Sequence, residues 1–174
     1  IDVSLVGSEM CIRDRSEFTT EKYNEFQTAR SIITSIENPG SALDVLIAGT
    51  QLRLGSFRFK GETGHGSADL AVTDLLVRVD QTGGVTLANV KLGADGTSDK
   101  IDCAAVPGSI TCSSIPEMFG SFEDGPRTLT FYGDVDVTGG LQTASLQLKI
   151  NDPGSVSTPG DVTWTDGTTS FQWV

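Results

Sequence analysis

Few residue types in this chain can do chemistry, and their spacing narrows what that chemistry can be. Three cysteines, one histidine and 23 acidic side chains stand among 174 residues. Cys103 and Cys112 flank Ala104 to Thr111, which turns at Pro107-Gly108. Short strands facing each other across that turn bring the Cα atoms within disulfide reach. In an exported protein the bridge is the expected state, and two buried thiols are the alternative. No nearby cysteine or histidine completes a metal site around them. Asp95, Asp99 and Asp102 supply the hard oxygens that Ca²⁺ prefers, on a Gly-containing loop. Their spacing matches no recognised calcium loop, so a solvated acidic loop is the competing reading. His65 is alone in the loop GETGHGSA, without the Ser/Asp pattern of a triad or a second histidine for a metal. It reads as an exposed loop residue. Glu117 and Glu123 have the composition of a glycosidase pair, but any acidic chain offers such pairs by chance. Trp164, Trp173 and Tyr132 could form a sugar-stacking face. The two tryptophans alternate with polar neighbours, which favours core packing. No catalytic residue is assigned.

The elements that must carry these residues read as strands. Gly is frequent, with 20 residues, and Thr, Ser and Val recur without helical periodicity. The firmest stretch is Arg127 to Ile150, RTLTFYGDVDV-TGG-LQTASLQLKI. Leu129, Phe131, Val135 and Val137 alternate with Thr128, Thr130, Tyr132, Asp134 and Asp136. Ala144, Leu146, Leu148 and Ile150 alternate with polar residues in the same way. Period two is the mark of a strand with one face in a core. Gly139-Gly140 can make a primed two-residue turn, which pairs Phe131 with Leu148, Leu129 with Ile150, and Gly133 with Leu146. The expectation is a hairpin; the alternative is an arch whose arms lie in different sheets. Asp134 and Asp136 read as solvated.

Further strands are expected at Ala29–Glu37, Ala42–Ala48, Gln51–Lys60, Leu70–Asp80, Val85–Leu92, Ile101–Ala105, Ser109–Ser113, Asp161–Thr165 and Ser170–Val174. Leu75, Val77 and Val79 should point inward. In Gln51–Lys60 the apolar face changes parity at Gly55-Ser56, and in Val85–Leu92 near Ala88-Asn89. A change of parity is how a β-bulge shows in a sequence. The segment from Ile115 to Pro126 is an irregular connection. Nine to eleven strands at this spacing predict an all-β fold, a two-sheet antiparallel β-sandwich of jelly-roll or cohesin-like type. A length of 174 residues suits one such domain, spanning 29–174.

The net charge of −11 argues against nucleic acid, whose phosphates demand a basic surface, and against anionic membranes. No apolar run is long enough to insert directly into a membrane. Leu5 to Asp14, LVGSEMCIRD, followed by Arg15, resembles the translation of a transposon-based sequencing-library adapter. That resemblance implies a conceptual translation of an assembled, metagenomic read, with residues up to about 15 foreign to the protein; the alternative is a short disordered tail. Removing them removes Cys11 and leaves the true N-terminus, any signal peptide and any anchor open. Residues 16–28 read as a linker or short helix, and the abrupt end at Val174 is compatible with a cut C-terminus.

Ala48-Gly49-Thr50 through LRLGSFRFK, then Val72-Thr73-Asp74-Leu75, then Leu87-Ala88-Asn89-Val90-Lys91-Leu92 form a characteristic cadence. It resembles β-sandwich domains of secreted surface proteins of candidate-phyla-radiation bacteria, and cohesin-like sandwiches share it. The resemblance spans about Arg30 to Val174 and supplies no catalytic residues. It implies a non-catalytic structural or adhesive module at the cell surface, with other surface-protein domains, subunits or carbohydrate as partners. A carbohydrate- or protein-binding module, supported by Ca²⁺ or not, is the second expectation, and a glycoside-active enzyme the third. Recognition is expected in the end loops Gly61–Ala68 and Gly93–Lys100.

Overall fold

The computed structural model describes residues 30–40, 46–64, 69–122, 124–138, 144–150, 160–168 and 170–172. Eleven strands lie among them, joined by one helical turn: β1 (Ser31–Glu37), β2 (Gly49–Thr63), β3 (Ala71–Thr82), β4 (Val85–Ala94), β5 (Lys100–Asp102), β6 (Ala104–Val106), β7 (Ser109–Cys112), α1 (Glu117–Gly120), β8 (Arg127–Val137), β9 (Ser145–Lys149), β10 (Val162–Thr165) and β11 (Ser170–Gln172). They form two antiparallel sheets. The first runs β1-β2-β8-β4-β5; the second runs β11-β10-β3-β7-β6, with β9 also paired to β3. The chain crosses between sheets repeatedly. Even the tight turn at Gly83 and Gly84, both at φ near +70° (69° and 72°), leads from β3 in one sheet to β4 in the other.

The core is what period-two patterning dictates when two such sheets meet face to face. Phe57, Phe59, Val90, Leu92, Leu129 and Phe131 come from the first sheet; Val72, Leu75, Val77, Val79, Ile110 and Val162 come from the second. Phe57 and Phe131 meet edge to face, with ring centroids 6.2 Å apart. The irregular connection after β7 closes one end, burying Ile115, Phe119 and Phe122 and leaving Met118 exposed. Leu75, Val77 and Val79 point inward as expected.

The hairpin expected over Arg127 to Ile150 is not what the chain forms. β8 lies between β2 and β4 in the first sheet, while β9 pairs with β3 in the second, so the two arms make an arch. Alternation determines which side chains leave water, not which neighbour they leave it against. A hairpin sets two apolar faces side by side, an arch sets them face to face, and both bury them. Here β8 gains a full ladder on each edge from β2 and β4, satisfying backbone groups that a sheet edge leaves to water. Gly133 therefore pairs with Leu52 rather than Leu146, and the room left by its missing side chain is filled by Leu54 and Val90. Positions 139–143, with the Gly139-Gly140 turn, lie outside the described residues. So do 41–45 of the strand expected over Ala42–Ala48; Leu46, Ile47 and Ala48 carry no strand.

Both parity changes are bulges. β2 shifts register against β8 between Arg53 and Gly55, and again between Gly49 and Leu52. β4 shifts between Ala88 and Lys91. The expected strand Ile101–Ala105 splits at Cys103 into β5 in the first sheet and β6 in the second.

Candidate functional site

Cys103 stands where the chain leaves one sheet for the other. Its N–H still donates to Val90 O at 2.9 Å, extending the β4–β5 ladder by one bond. Its sulfur is bonded to Cys112 at the buried end of β7, with Cα atoms 4.6 Å apart. The bridge thus pins the crossing to the second sheet. The turn at Pro107-Gly108 and the strand after it are those the sequence indicates; the strand before it is the shorter Ala104–Val106.

The other residues singled out by type are dispersed. Asp95 accepts from Thr128 N–H at 3.0 Å and lies 3.6 Å from Arg127 Nε. Asp102 pairs with Lys91 at 2.6 Å. Asp99 is exposed, and its N–H donates to Thr97 Oγ1. Among the described residues no group of three or more His, Cys, Asp or Glu side chains stands together as a metal site. His65, Glu123 and Trp173 lie outside the described residues; Glu117 is exposed on α1. Trp164 is buried in the core and stacks on Phe171 at 4.7 Å, as the packing reading requires.

What the structure does assemble lies on the outer face of the first sheet, along β8. The bulges in β2 and β4 flank this strand on opposite sides at the level of Asp134. Gln51 and Asn89 each take up left-handed backbone there, with φ of 49° and 48°. Asn tolerates that conformation because its short polar side chain bonds locally. Asp134 clamps both bulges: it accepts from Gln51 N–H at 2.7 Å and from Asn89 Nδ2 at 2.6 Å. The Gln51 amide then spans β8 to donate to Asn89 O at 3.2 Å. The Asn89 amide bond, followed by the Gln51 N–H, holds the Asp134 carboxyl below the ordinary aspartate value. A shallow depression of about 470 Å³ opens beside it, between Gly49, Thr50, Thr86 and Asp136. Asp134 thus stays on the solvent-facing side, as the polar alternation suggests, and in addition ties the two bulges together. Of the two parity changes in the sequence, only the one near Ala88-Asn89 lies at the level of Asp134; the β2 bulge that carries Gln51, between Gly49 and Leu52, is not the one at Gly55-Ser56.

Further along β8, Tyr132 occupies the centre of a cross-strand row, Arg53–Tyr132–Lys91–Asp102. Its ring leans over Gly93, where a Cβ would come within 3.1 Å of it. The Lys100 ammonium sits 3.8 Å from the ring centroid, a cation–π contact. Arg53 lies over hydroxyls instead of a carboxylate: its guanidinium donates to Ser56 Oγ at 2.7 and 3.1 Å, and Ser56 is linked to Thr130 Oγ1 at 2.9 Å. Arg58 is exposed one step further along β2, opposite Thr128. Arg58 stands across from Glu37 of β1, and its charge helps to hold that carboxyl down. Among the described residues neither Arg53 nor Lys100 has a carboxylate within 4.0 Å, unlike Lys60 with Glu37 and Lys91 with Asp102. On a chain of net charge −11, Arg53 and Lys100 are thus two cations without carboxylate partners among the described residues, one on each side of a single aromatic ring.

No protein-family model, curated protein or solved structure matches the chain, so its relationships rest on the fold itself: an antiparallel two-sheet β-sandwich.

Proposed function

We propose that this domain is a non-catalytic structural or adhesive module of an extracellular or cell-surface protein. The observation that carries the reading is the Cys103–Cys112 bridge at the sheet crossing. Disulfides form and persist in oxidising compartments, and this one restrains the segment that joins the two layers. The net charge of −11 and the use of carboxylates as ties, at Asp134, Asp161 and Asp166, agree with a scaffold. Among the described residues no helix is long and apolar enough to cross a membrane.

The test has two arms. Protein exported to an oxidising compartment should carry no free thiol at Cys103 or Cys112 by thiol labelling and mass spectrometry. Incubation with a panel of glycans and glycosides should give no turnover. Free thiols in the exported protein remove the compartment from the reading, and any turnover removes its non-catalytic part.

A second reading, a carbohydrate- or partner-binding module, is favoured by the uncompensated cations around Tyr132. Calcium would enter it through Asp95, Asp99 and Asp102, where the ion must compete with Arg127 and Lys91. Isothermal titration with Ca²⁺ decides: a flat titration removes the ion.

A further inference from the structure

We infer that the outer face along β8 binds a linear carboxylated polysaccharide, a uronate-containing glycan, lying along the strand between two cationic rails. The inference rests on the surface-module reading and names its ligand class. Arg53 and Arg58 form one rail on β2; Lys91 on β4 and Lys100 on β5 form the other. The rails stand on either side of β8, and Arg53 and Lys91 are two strand spacings, roughly 10 Å, apart. Between them the floor is Tyr132, with the Thr130 hydroxyl beside it. Charge complementarity selects an anion, because Arg53 and Lys100, on either side of the Tyr132 ring, are without carboxylate partners among the described residues, whereas Arg58 faces Glu37 and Lys91 is paired with Asp102.

The floor selects a sugar over an acidic peptide. β8 is hydrogen-bonded on both edges, so it offers a peptide no free ladder to extend. It offers an aromatic plate, a hydroxyl and guanidinium groups, which suit pyranose faces, ring hydroxyls and carboxylates. Lys100 now caps the Tyr132 ring. A uronate carboxylate draws that ammonium toward itself, leaving the ring to the neighbouring sugar. Nothing in this step makes or breaks a covalent bond.

Affinity electrophoresis of the full chain in gels holding polygalacturonate, neutral dextran or dextran sulfate tests the inference. The expected result is retardation by polygalacturonate at low salt, none by dextran, and loss of retardation as salt shortens the Debye length to about 8 Å. Arg53→Gln with Lys100→Gln should weaken polygalacturonate binding about tenfold or more, since charge-assisted contacts are removed. Arg58→Gln removes only a solvent-screened attraction to Glu37 and should weaken binding with little change in thermal unfolding. Tyr132→Leu should weaken polygalacturonate more than dextran sulfate. No retardation by polygalacturonate, equal retardation of the variants, or dextran sulfate binding that is stronger and indifferent to Tyr132 overturns the inference. Absence of binding without turnover removes only the ligand; turnover of any glycan removes the surface-module reading beneath it.

Discussion

Asp134 shows how much one carboxylate can do at a surface. It holds the two left-handed bulges of β2 and β4 in place, and its charged form is the one that accepts both amides. Because its folded value lies below the ordinary 3.8, its contribution is present above that value and is lost as pH falls through the lower folded value. The unfolded chain takes up the proton first, so acid favours unfolding. Asp134→Asn should therefore flatten the acid limb of stability below about pH 3.8, measured by urea unfolding at stepped pH; a limb as steep as that of the parent would remove Asp134 from this role. At the crossing, Cys103→Ser with Cys112→Ser should cost about 2–3 kcal/mol, because the bridge closes a short loop. The urea midpoint of the oxidised parent against the double variant reads this directly. Both cysteines were legible as a facing pair from the turn between them. Asp134 was not, since a carboxylate on the polar face of a strand looks the same whether water or a bulge receives it.

At the scale of elements the arch is the main finding, and it leaves a testable trace. Gly55 of β2 faces Leu148 of β9 across the core, where a Cβ would lie 3.1 Å from Leu148 Cδ1. Gly55→Ala should cost about 1–2 kcal/mol through overpacking, and Leu148→Ala in the same chain should return part of it, a coupling of about 0.5 kcal/mol or more. Additive costs in a double-mutant cycle would argue that β9 does not lie across from β2. Gly120 is a second close approach: a Cβ there would come within 2.2 Å of Val72 O, backbone that cannot swing aside. Gly120→Ala should lower the thermal midpoint more than any alanine substitution at an exposed position such as Thr86. Phe131→Ala, at a fully buried site facing Phe57, should cost about 3–5 kcal/mol in urea unfolding. The bulges were visible in the sequence because each moves the apolar residues from one parity to the other. The partners of β8 were not, because alternation carries no information about which neighbouring strand completes its ladders.

For the whole molecule, charge and architecture act together. A net charge of −11 on one compact sandwich brings self-repulsion that salt screens. The thermal midpoint should rise from about 10 mM to about 150 mM NaCl, where the Debye length is about 8 Å. A midpoint that falls over this range would show that ion pairs such as Lys60–Glu37 and Lys91–Asp102 outweigh the repulsion. One end of the sandwich is stitched by polar contacts in which Ser31 and Asp166 are buried. Arg30 N–H donates to Asp166 at 2.9 Å, and the Ser31 hydroxyl donates to Asp69 O at 2.8 Å, joining the start of β1 to the far sheet.

By itself the sequence determined that this chain is all β, where most strands run, which residues enter the core, where two ladders bulge, and that Cys103 faces Cys112. These follow from local periodicity and turn chemistry, which act over a few residues. Only the tertiary structure decided that β8 lies between β2 and β4, that β9 crosses to the other sheet, and that Asp134 spans two bulges 83 and 45 residues away in the chain. It also brought Arg53, Tyr132, Lys91 and Lys100 onto one outer face. The physical reason is the same in each case. Burial is satisfied by any apolar partner, so strand order is settled by the sum of ladders and packing over the whole sandwich. The surface that results belongs to no single stretch of sequence.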